Sequence, residues 1–67
     1  MAAANPFAAS AAGITEAEAE ARPLLAIVAA AEAMWDVLGA LPGKAEATLA
    51  QRRLEEAVFW ASRAEQA

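Results

Sequence analysis

The chain contains no cysteine and no histidine. Without cysteine there is no disulfide and no thiolate metal site. Without histidine it loses the commonest nitrogen ligand and the commonest general base. Basic residues are scarce, five against nine acidic, for a net charge of −4. That balance disfavours coating of duplex DNA, which calls for a basic footprint. It leaves room for a small anionic ligand, because a few converging arginines can dominate locally. Long apolar runs are missing too. Leu24 to Leu38 is interrupted by Glu32 and Asp36 and is shorter than a membrane span. Met1 to Gly13 carries no Lys or Arg for the positive region of a secretory signal, and its alanines are only mildly apolar. A soluble cytoplasmic protein, with no membrane partner, is expected.

What is present is alanine, about a third of the 67 residues. It favours helix and lets backbones approach closely. The length allows one small domain. Two helices cannot enclose a core by themselves, and small chains escape that shortage through disulfides, metals or association. Association is the exit left to this composition.

Residues 1–14 read as an arm, with Asn5-Pro6 as a turn signal and Phe7 as its one aromatic side chain. Residues 15–67 read as a helical hairpin domain. Thr15 and Glu18 fit a capping box, and Glu16, Glu18 and Glu20 suit the positive end of a helix dipole. Pro23 opposes a continuous helix, so a kink or break is expected near residues 22–23. From Pro23 to about Leu38, the residues Leu24, Val28, Ala31, Trp35 and Leu38 form an apolar stripe that Ile27, Met34 and Leu41 widen. Gly39 is expected as the C-terminal cap, with the turn at residues 39–43. Lys44 opens a last helix running nearly to the end. The short connection makes the two long helices antiparallel.

Paired carboxylates occur at Glu16 with Glu20 and at Glu55 beside Glu56, where solvated helix surface is the plainer explanation. Ser10, Thr15, Thr48 and Ser62 have no histidine to activate them. No glycine-rich phosphate loop occurs. Neither an enzyme nor a cofactor or metal site is expected.

The last helix carries more. Ala47, Ala50, Leu54, Val58 and Ala61 form one stripe, which a hairpin needs. Leu49, Glu56 and Trp60 lie roughly opposite it, and Phe59 lies off its flank. Arg52, Phe59 and Arg63 project from one side, with Arg53 and Trp60 beside them. This second face must meet another subunit, a ligand, or both. Guanidinium groups pair with phosphate in bidentate fashion and stack on rings, so the three arginines are candidates for a phosphate clamp. The alternative for Arg52 and Arg53 is weak surface pairing with Glu55 and Glu56. Leu49, Phe59 and Trp60 are assigned to a subunit interface.

The segment Thr48 to Ala64, preceded by Leu41-Pro42-Gly43, resembles the C-terminal hairpin of the phage anti-CBASS sponge proteins. The pattern A-x-x-x-L-E-E-A-x-x-W-A-x-x-A reads here as Ala50, Leu54, Glu55, Glu56, Ala57, Trp60, Ala61 and Ala64. With the apolar helix before the turn, the resemblance covers about two-thirds of the chain. It implies a small helical protein assembling as a homo-oligomer, a hexamer. It also implies binding of cyclic oligonucleotide second messengers without cleavage, which blocks bacterial antiviral signalling from within the host cytoplasm. Cyclic dinucleotides would sit between protomers, held by an N-terminal aromatic and a basic side chain. Phe7 and Arg22 are the candidates for those roles. Cyclic trinucleotides occupy separate pockets in some members, and Arg52, Arg53 and Arg63 are the candidates for such a second site. A related hairpin takes up cyclic ADP-ribose isomers. The expectation is therefore an all-α antiparallel hairpin with a short N-terminal helix or arm. Beside it stands a plainer one, a structural hairpin oligomer acting as a protein interaction module.

Overall fold

A computed structural model describes residues 4–67. Residues 1–3, the start of the expected arm, lie outside the described residues. Among the described residues four helices follow in order: α1 (Ala8–Ala11), α2 (Glu16–Ala21), α3 (Pro23–Gly39) and α4 (Lys44–Glu65). No strand occurs among the described residues.

The starts of α2 and α3 follow from local chemistry. In α2 the Thr15 hydroxyl accepts from the Glu18 N–H at 3.1 Å, and the Thr15 N–H donates to the Glu18 carboxylate at 3.0 Å, so the capping box is complete. The Glu18 carboxyl is held below its ordinary value, first by that backbone donor and then by the Thr15 hydroxyl. The expected break falls at Arg22, which adopts an extended conformation (φ −137°, ψ 102°) and ends α2. Pro23 then occupies the first turn of α3, where its missing N–H costs nothing. Between α1 and α2, Gly13 takes φ +83°, a left-handed turn that suits only glycine comfortably.

The long helices run antiparallel. Contacts between them spread outward from the turn. Lys44 Nζ donates to the Gly39 carbonyl at 3.2 Å, Gln51 Nε2 donates to the Trp35 carbonyl at 3.0 Å, and Arg22 meets Glu65 at the far end. Gly39 departs from its expected role. It is the last helical residue, and the cap is Ala40 in right-handed geometry. A Cβ at Gly39 would lie 2.9 Å from Gln51 Nε2, so a side chain at this position would make the Gln51 amide shift.

The core is narrow. Phe7, Ala31 and Trp35 are buried together, Leu54 and Val58 pack against them, and Ala47 is buried nearer the turn. Both expected stripes therefore face inward along their centres. The flanks do not. Ile27, Met34 and Leu41 were expected to widen the α3 stripe, yet all three are exposed, as is Val37. A hairpin has no third layer to cover them. The molecule measures 36 × 25 × 14 Å, and its least dimension is little more than one helix diameter.

Candidate functional site

Three groups of side chains carry the chemistry anticipated in the sequence, and the fold keeps them apart. The first is inside. Asn5 anchors the arm across α3: its Nδ2 donates to the Glu32 carbonyl at 2.8 Å and to the Asp36 carboxylate at 3.2 Å, while its Oδ1 accepts the Phe7 N–H at 3.0 Å. This puts Phe7 edge-on to Trp35, with centroids 6.1 Å apart at 76°. Phe7 is 8% exposed, so as folded it offers no free face to a base. In the folded protomer Phe7 serves as a core anchor. Asn5 was read only as part of a turn. Its reach back to α3 depends on tertiary placement, but Asn before Pro, with an N–H two residues on, is the local signature that marks it.

The second group lies at the open end of the hairpin. Arg22 Nε donates to one Glu65 oxygen at 2.9 Å, and its terminal nitrogen donates to the other at 2.7 Å. Both side chains remain in contact with water, at 56% and 30% exposure. The Glu65 hydrogen bond, then its charge, pushes the Arg22 guanidinium further up, and the same hydrogen bond holds the Glu65 carboxyl down. Beside this pair opens an apolar pocket of ≈ 270 Å³, lined by Pro23, Leu24, Ile27, Ala61, Ala64 and Glu65. That volume is just under the roughly 300 Å³ at which pockets begin to hold a whole ligand.

The third group is the outer face of α4. Phe59 and Trp60 meet edge to face at 5.1 Å and 79°, and the Arg63 guanidinium lies 5.7 Å from the Phe59 centroid. Phe59 is 52% exposed and Trp60 60%, with Leu49 exposed on the same side of the helix. Arg53 pairs with Glu56 at 3.4 Å, the weak surface arrangement held open for it. Arg52 makes no ion pair among the described residues.

No cluster of acidic, histidine or cysteine side chains among the described residues has the spacing to hold a metal ion. No described helix is long and apolar enough to cross a membrane.

Residues 11–64 match the model of the Acb2/Tad1 hairpin domain. The chain belongs to this family. It is the anti-CBASS cyclic oligonucleotide sponge family, built on a helical hairpin. No curated protein and no solved structure matches the chain. The Acb2/Tad1 match takes in α2, α3 and nearly all of α4, with Arg22, the outer-face arginines and both of its aromatics. Phe7 and the Asn5 anchor lie before it.

Proposed function

We propose that this protein captures cyclic oligonucleotide second messengers and holds them without cleaving them, so antagonising bacterial anti-phage signalling. Cyclic dinucleotides are the ligands proposed for the Arg22 site, and cyclic trinucleotides are candidates for a second site. The observation that carries this reading is the match of residues 11–64 to the Acb2/Tad1 hairpin. The geometry supports it in two ways. Arg22 is a half-exposed guanidinium paired with Glu65, which lines an apolar pocket, a combination suited to a phosphate joined to a flat ring. On the outer face of α4, Arg63 lies over the exposed Phe59 beside Trp60, and Arg52 is exposed on the same helix.

Both places are incomplete in one protomer. The pocket is small and open, and the aromatics lack a cover. A homo-oligomer, a hexamer in this reading, would complete them between subunits in the host cytoplasm. Capture is then stoichiometric, and rigid walls limit the ordering cost of binding.

A thermal-shift panel of cyclic di- and trinucleotides tests the proposal, since a ligand of the native state alone raises the melting temperature. Recovery of unaltered ligand after denaturation separates capture from hydrolysis. Flat melts across the panel would refute the reading.

One observation favours a second reading. The ring expected to stack on a base is instead buried against Trp35. A hairpin that uses its aromatics only for packing would be an interaction module, stabilised by subunit concentration and by no nucleotide.

A further inference from the structure

We infer that Glu65 is a built-in competitor for the phosphate site at Arg22, so that a ligand binds by displacing an internal carboxylate. The inference rests on the proposed capture of cyclic nucleotides and deepens it by naming the residue that opposes binding.

The argument starts from the shape of the contact. Arg22 presents Nε and one terminal nitrogen to the two oxygens of Glu65, at 2.9 and 2.7 Å. A phosphodiester offers its two unbridged oxygens to a guanidinium through the same planar fork. The carboxylate therefore marks where a phosphate would sit, and the two cannot sit there together.

The two partners differ in how firmly they are held. The Arg22 backbone is fixed: its N–H donates to the Glu18 carbonyl at 3.0 Å, its carbonyl accepts the Leu25 N–H at 2.9 Å, and Pro23 follows it. Glu65 is the last residue of α4. Terminal helical turns open at little cost. The Arg22 backbone stays in place, and the helix end that carries the carboxylate is the part that yields. Glu65 also lines the apolar pocket. Its departure from Arg22 exposes the cation and widens the pocket mouth in one movement.

The expected effect is modest, because exposed ion pairs are weak. Glu65→Gln keeps the size of the side chain and removes the competing charge. It is expected to bind cyclic GMP–AMP about two- to fivefold more tightly than the unaltered protein. Its melting temperature without ligand should fall slightly, since the Arg22 tie is weakened. Those opposite signs separate competition from a purely structural role, which would lower the melting temperature without tightening binding. Glu46→Gln makes the same change of charge in the first turn of α4, far beyond the roughly 8–10 Å screening distance. Its affinity should equal that of the unaltered protein.

Calorimetric titration of the full chain with cyclic GMP–AMP decides the matter. Tighter binding by Glu65→Gln alone supports the competitor. Equal or weaker binding by Glu65→Gln, with Arg22→Ala still weakened, overturns the competitor and leaves the capture function standing. Unchanged binding by Arg22→Ala also overturns it, by moving the site elsewhere. No binding by any variant overturns both.

Discussion

At the scale of single residues, the aromatic of the arm has the clearest consequence. Phe7 shares the small core with Ala31 and Trp35. Phe7→Ala should cost about 3 kcal/mol of stability, read from denaturant unfolding. An unchanged midpoint would mean that the ring is not part of the core and would reopen a stacking role. Acid should reveal two carboxylates. Glu18 and Glu65 both have folded pKa values below the ordinary 4.5. A lowered folded value means that the unfolded chain binds protons more readily. The stabilisation is therefore present above 4.5 and is lost as pH falls through the lower folded values. The melting temperature should decline on acidification below pH 4.5. The double variant Glu18→Gln, Glu65→Gln should show a shallower decline, and an equally steep one would place the acid sensitivity elsewhere.

At the scale of elements, α2 has six residues and no stability of its own. It depends on its cap and on the turn before it. Thr15→Ala should cost about 1 kcal/mol, checked by the thermal midpoint in circular dichroism. Most of this architecture was legible in the sequence, because local signals suffice for it. Thr15 and Glu18 define a start, Pro23 forces a break, and Leu41-Pro42-Gly43 turns the chain. Periodicity located the centres of both stripes, but not their width. Whether Ile27 or Met34 is covered depends on how many layers a fold has, which no single helix encodes. The Gly39 assignment failed for a similar reason, since its constraint comes from Gln51 across the hairpin.

The site was less legible than the fold. Arg22, Arg52, Arg53 and Arg63 were singled out as cations, and the structure leaves all four in contact with water. The Glu65 contact was not anticipated. It joins residues 43 positions apart, and only the antiparallel register brings them together.

The whole molecule, 14 Å in its least dimension, leaves large apolar side chains uncovered on both long helices. Exposed patches of this kind mark interaction surfaces. Trp60→Ala should shift the sedimentation profile toward smaller species at matched concentration, whereas an unchanged profile would remove Trp60 from the interface. If association supplies the missing burial, the melting temperature should also rise with protein concentration.

The chain has two indoles and no tyrosine. One indole, Trp35, lies in the dry centre at 8% exposure, and the other, Trp60, stands at 60%. Their emission colours should differ accordingly, blue for the first and red for the second. Dilution would redden only the outer ring, and urea would then redden the inner one. Two replacements, Trp35→Phe and Trp60→Phe, would turn the native fluorophores into separate optical gauges, one for assembly and one for unfolding.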